Sequence, residues 1–91
     1  MRRVVWTDLA VENLEAIVTY IAVFNEPAAE RVGERLLELA ESLAIFPDRG
    51  RDAGSGRREM TIVFPYILRY RVEGDEVRIL RIRHGARRPD A

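Results

Sequence analysis

The sequence predicts an α+β domain in the order β-α-α-β-β-β, with an N-terminal helical hairpin packed on one face of a mainly antiparallel sheet. Three observations predict it. Between Ala10 and Leu43 the apolar residues recur at intervals of three and four, the period of a helix. Between Arg58 and His84 lie three strand-like runs, and in the last two apolar residues alternate with arginines, the period of a strand. The two regimes are separated by "DRGRDAGSG", residues 48–56, which has neither period and is rich in glycine and charge, as a loop should be.

Each element follows from local chemistry. "RRVVW", residues 2–6, is a short β-branched and aromatic run and reads as a strand. Thr7 or Asp8 can cap the helix behind it by accepting from an orphan amide. Ala10, Leu14, Ile17, Ile21 and Phe24 then form one helical face, and this helix should run to about Val23. Pro27 has no amide hydrogen and fits only the first turn of a new helix, so Asn25 becomes the second cap. Ala29, Val32, Leu36, Leu39 and Leu43 make the buried stripe of the second helix, Phe46-Pro47 ends it, and Gly33 allows the two helices to approach closely. Glu30, Glu34, Glu38 and Glu41 form its solvated back. Three strands follow, Arg58 to Phe64, Tyr66 to Val72 and Val77 to His84, with Pro65 marking a turn or an edge.

Composition narrows the function classes. Ninety-one residues without a linker read as one domain, 1–91, able to bury roughly two-thirds of its unfolded surface. There is no cysteine, hence no disulfide and no thiolate nucleophile, and a single histidine argues against zinc; neither a metal nor a cofactor is expected. Val4-Val5-Trp6 gives way at once to Thr7-Asp8, so no apolar signal core forms, and the longest uncharged run, Ala16 to Asn25, is far below the ~20 residues that span a bilayer. A cytoplasmic protein with no membrane partner is expected. The formal charge of zero hides a division: residues 1–48 hold four arginines against nine acidic groups, and residues 49–91 hold eleven against six. Every basic residue is arginine, which suits bidentate contacts, although codon usage in a GC-rich genome gives the same count.

Those arginines have a pattern. Tyr66, Leu68, Tyr70 and Val72 alternate with Arg69 and Arg71, and Leu80 and Ile82 alternate with Arg81 and Arg83. Collecting Arg69, Arg71, Arg81 and Arg83 on one face requires an odd number of loop residues between the last two strands, because a two-residue Gly74-Asp75 turn would set Leu68 beside Arg81. The odd loop is the expectation here. Like charges side by side cost stability unless something neutralises them, so such a face calls for an acidic partner.

These residues resemble the RelE/ParE superfamily of bacterial type II toxins, its ParE-like branch in particular. The resemblance covers nearly the whole chain in order: a strand ending in Trp6, Leu14 to Tyr20, Pro27, Phe46-Pro47-x-x-Gly50, Arg58-Glu59, Pro65-Tyr66, Tyr70-Arg71-Val72 and His84-Gly85-x-Arg87. It implies a hetero-oligomer with a cognate, ParD-like antitoxin and one of two activities: inhibition of DNA gyrase, as in ParE-like members, or ribosome-dependent cleavage of messenger RNA, as in RelE-like members. A degenerate member that only binds its antitoxin, as a stabiliser or co-repressor, is a third reading.

Cleavage of RNA by its own 2′-hydroxyl needs a base, a cation at the pentavalent phosphate and an acid for the leaving oxygen. Were the chain a nuclease, His84, Glu59, Arg81 and Arg83 are the candidates. Three features depart from the pattern of the ribonuclease branch of the superfamily that the chain resembles: there is no lysine in the loop before the second strand, Ile62-Val63-Phe64 stand before Pro65-Tyr66 where an arginine belongs, and no tyrosine ends the chain. The expected reading is therefore a non-enzymatic inhibitor. Arg69, Arg71, Arg81 and Arg83 are expected to bind the antitoxin, whose tail would cross the groove between hairpin and sheet. Arg58, His84, Arg87 and Arg88 are expected to bind the target.

Overall fold

The structure, a computed structural model, describes residues 1–85. Strand β1 (Arg3–Trp6) leads into helix α1 (Asp8–Phe24), helix α2 (Glu26–Ser42) and then strands β2 (Arg51–Gly54), β3 (Arg57–Val63), β4 (Tyr66–Glu73) and β5 (Glu76–His84). The strands form one sheet in the order β1-β5-β4-β3-β2. β1 runs parallel to β5 and the other pairs are antiparallel. The α+β class and the helical hairpin on one face are as predicted.

Both helix caps are where the sequence put them. Thr7 Oγ1 accepts from the Ala10 amide at 3.2 Å, and Asn25 Oδ1 accepts from the Ala28 amide at 3.0 Å. The helices meet closely at Gly33, where an added Cβ would stand 3.2 Å from Val18 Cγ2. Leu36, Ala40 and Leu43 of α2 and its C-cap, with Ala10 of α1, pack on Leu68, Tyr70, Val77, Ile79 and Ile82 of the sheet to form the core. One member of the predicted stripe departs from it: Phe24, at the last position of α1, is 74% exposed, its ring packed edge-on against Tyr20.

Two further corrections concern the sheet. The segment predicted as a loop contains β2, an edge strand of four residues whose Arg51 pairs with Glu59; three successive left-handed residues, Gly54, Ser55 and Gly56, turn it into β3. So short a strand, interrupted by glycine, carries no periodicity that a sequence pattern could register. The β4–β5 connection is not odd: Glu73 faces Glu76 across a two-residue turn, with Gly74 at φ 58°. A bulge then does what the odd loop was expected to do. Tyr70 pairs with Ile79 but Arg69 pairs with Arg81, leaving Leu80 as the extra residue, and this shift returns the arginines of both strands to one face.

The outer edge of β5 beyond β1 is closed by α1 and its cap. Thr7 donates through its amide and hydroxyl to the Ile79 carbonyl, at 3.1 and 2.9 Å, and Asn13 Oδ1 accepts from the Ile82 amide at 3.0 Å. These bonds satisfy backbone groups of the bulged strand and fix α1 against it.

Tyr70 ties the segment after α2 to the sheet. Its fully buried hydroxyl donates to the Pro47 carbonyl at 2.7 Å and accepts from the Gly50 amide at 2.9 Å. Burial pushes its pKa up, which keeps it a donor. Gly50 is required because a Cβ there would lie 2.8 Å from the Tyr70 ring and hydroxyl and 2.9 Å from the Glu59 carbonyl. Tyr70→Phe should therefore lower stability by about 1–3 kcal/mol, the range for orphaning buried polar groups, and Gly50→Ala should cost at least as much through the clash. Urea midpoints for the two variants check this, and wild-type midpoints in both would refute the pinning role.

Candidate functional site: an arginine-lined sheet face

Strand alternation and the bulge build one surface on the side of the sheet away from the helices. Arg57 and Glu59 of β3 align there with Arg71 and Arg69 of β4, which align in turn with Arg78 and Arg81 of β5; Arg83 stands beside Ile67. Arg51 of the edge strand joins them next to Glu59. The four arginines predicted to share a face do share one, and Arg51, Arg57 and Arg78 enlarge it.

Glu59 holds this surface together. The residue is only 4% exposed, the single buried charged residue among those described. Its Oε2 accepts from both Nε and Nη2 of Arg69, at 2.8 and 2.6 Å, while Oε1 accepts from Arg51 Nη2 at 3.1 Å and lies 3.7 Å from Arg83 Nη2. Burial pushes the carboxyl's pKa up, but the hydrogen bond from Arg69 and the charges of Arg69, Arg83 and Arg51 outweigh it and hold the group below its ordinary 4.5. Toward the turn, Arg71 donates to the Ser55 carbonyl at 3.1 Å and Arg78 donates to Glu76 at 3.1 Å, with Glu73 3.4 Å from Arg78 Nε. Among the described residues, Nε of Arg71 and Nε of Arg83 are buried without an acceptor. The face thus carries more guanidinium donors than its own carboxylates can satisfy.

The other expected site residues lie elsewhere. His84 is on the helix side of β5, its ring edge-on to Tyr66 at 5.6 Å, and with Tyr20 and Ala16 of α1 the two line a crevice of about 330 Å³. Arg58 also points to the helix side, where Nη1 donates to the Gly50 carbonyl at 2.7 Å and Nη2 lies 3.6 Å from Asp48. Arg87 and Arg88 lie outside the described residues. The nuclease candidates are accordingly divided: Glu59, Arg81 and Arg83 occupy one face of the sheet and His84 the other. Sequence reasoning weighed Glu59 as a base and missed it as a counter-ion. The signal was available, since Arg57 and Glu59 alternate in phase with the arginine rows.

A helical hairpin on one side of a five-stranded sheet and guanidinium groups on the other make up a toxin domain of the RelE/ParE type. The model of the ParE toxin of the type II toxin–antitoxin system parDE matches residues 4–89. Toxin RelE2 of Caulobacter vibrioides is 48% identical over 87 residues, covering 96% of this chain and 99% of that protein. Toxin RelE1 of the same organism is 34% identical over 79 residues, covering 84% and 85%. A chain from the chromosomal ParDE system of P. aeruginosa superposes with a TM-score of 0.80 at 29% identity, over 92% of this chain and 96% of that one. The chain belongs to the ParE toxin family of type II toxin–antitoxin systems.

The geometry of Glu59 generates a pH-dependent expectation. Because its folded-state pKa is depressed, Glu59 contributes stability above the ordinary value of 4.5 and loses it as pH falls through the lower folded value. Glu59→Gln should destabilise the domain near neutral pH by about 3 kcal/mol, the scale for leaving buried charges unpaired, and should flatten the acid limb of the stability profile. Denaturant unfolding of both proteins between pH 3 and about 7 checks this. Parallel acid limbs would contradict the counter-ion role.

Proposed function

We propose that this chain is a ParE-like growth inhibitor that acts on DNA gyrase by binding and is neutralised by a ParD-like antitoxin. The observation that carries the reading is the state of Glu59. A carboxylate saturated by three guanidinium groups, with its pKa depressed, is a poor general base, and it is separated by the sheet from the histidine that would complete a nuclease. An inhibitor needs no such set; it needs a contact surface, and the arginine face and the Tyr20–Phe24 end of α1 both offer one.

The antitoxin reading rests on the same face. Arg69, Arg71, Arg81 and Arg83 stand away from the helices, so an acidic antitoxin segment that pairs with them lies across the open face of the sheet and not in the helix–sheet groove where the sequence had placed it. Such a segment would supply acceptors for the unmatched donors and relieve the repulsion between neighbouring arginines. Arg69 and Arg83 are also engaged by Glu59, so changing Arg71 and Arg81 tests the face while leaving the Glu59 cluster in place.

The alternative, a RelE-like messenger RNA endonuclease, is favoured by the names of the curated Caulobacter relatives. Purified protein distinguishes the two. Inhibition of gyrase supercoiling is expected, and it should survive His84→Ala with partial loss at most. Ribosome-dependent messenger cleavage by the wild type, reduced ~10²-fold or more in His84→Ala, would overturn the inhibitor reading and establish an acid–base histidine. Separately, the Arg71→Glu, Arg81→Glu double variant should release the cognate antitoxin at least about tenfold faster, as surface-plasmon dissociation rates would report. An unchanged rate would remove these arginines from the antitoxin site.

A further inference from the structure

The two layers of the domain carry opposite charge. The outward side of the helical layer is acidic: Glu30, Glu34, Glu38 and Glu41 are exposed on α2, opposite its buried Ala29, Leu36 and Ala40, and Glu12 and Glu15 are exposed on α1. Arginine enters this layer only at positions 31 and 35, and Arg35 reaches no closer than 4.0 Å to Glu38. The opposite surface of the molecule is the arginine face, where Glu59 is consumed internally and, among the described residues, the turn carboxylates Glu73 and Glu76 remain. The charge division seen along the sequence is therefore a division across the thickness of the fold, in a protein whose net charge is zero. A net charge near zero leaves no overall repulsion between copies.

From this complementarity we infer that the free toxin associates with itself head to tail, the arginine face of one copy seating on the acidic helical face of the next. The occupant is a second copy because the chain itself presents both halves of the match, on parallel layers, without rearrangement. A two-fold dimer through either face is opposed, since it would set arginine against arginine or glutamate against glutamate. The contact is heterologous: each added copy exposes the same two faces again, so assembly continues past the dimer. It is also electrostatic, and salt must dissolve it. The inference stands independently of what inhibits gyrase or binds antitoxin.

Sedimentation velocity of the purified chain tests it. At about 0.1 M salt, where the screening length is ~10 Å, the weight-average mass should rise with concentration beyond that of a dimer; at about 1 M salt, where it is ~3 Å, the protein should be monomeric. Glu34→Arg with Glu41→Arg changes only exposed helical positions and should leave the circular dichroism spectrum unchanged while abolishing association. Arg71→Glu with Arg78→Glu should do the same from the other face. A monomeric wild type at low salt, a dimer that does not grow, association that survives 1 M salt, or double variants that assemble like the wild type would each overturn the inference.

Discussion

The ionised carboxylate of Glu59 is the constraint on which the sheet's outer face depends. Guanidinium groups from β2, β4 and β5 converge on it, and without that charge the same strand alignment would place arginines from adjacent strands side by side with nothing between them. Burial of a carboxylate is unfavourable, and the two contacts from Arg69 to one of its oxygens, with two further arginines at the other, offset it. The arrangement neutralises one region of the face and leaves a surplus of donors around it. That imbalance is what the proposed acidic antitoxin segment would answer.

Placement of those arginines is a matter of register. A two-residue turn at Gly74-Asp75 alone would have sent Arg81 and Arg83 into the helical side, and the bulge at Leu80 reverses this within a few residues of the turn. The bulge costs a regular ladder, and α1 repairs the exposed backbone through Thr7 and Asn13. On the other side of the sheet the Tyr70 hydroxyl fixes Pro47 and Gly50, which positions β2 and so brings Arg51 to Glu59. The Phe-Pro-x-x-Gly motif that carried part of the family resemblance thus has a physical role: it supplies a carbonyl and a side-chain-free amide to one buried hydroxyl.

Helices with strong caps and apolar stripes were legible in the sequence because Thr7, Asn25 and Pro27 act locally and Leu36 and Leu43 repeat at the helical period. Strand pairing was less so. β2 is four residues at an edge, and a bulge is a property of two strands together that neither sequence carries alone. The arginine face was found for an incorrect reason, the odd loop, yet its members were right because alternation within each strand is local. His84 and Arg58 could not be assigned to a face from periodicity until the register was known, and their position on the helix side divides the constellation that an acid–base reading would need. Phe24 matched the helical period but is exposed at the last position of α1, since periodicity does not encode where the packing surface stops.

The central proposal is that the arginine face of the sheet, organised around Glu59, is the surface on which an acidic segment of the antitoxin binds. Nuclear magnetic resonance of the arginine Nε–H groups during titration with the cognate antitoxin measures it most directly. Shifts at Arg71 and Arg83, whose Nε groups lack acceptors in the free chain, should be among the largest, with the Arg69 signal little changed because its bond to Glu59 persists. Perturbations confined to α1 and α2, with the Arg71 and Arg83 signals unmoved at saturation, would contradict it.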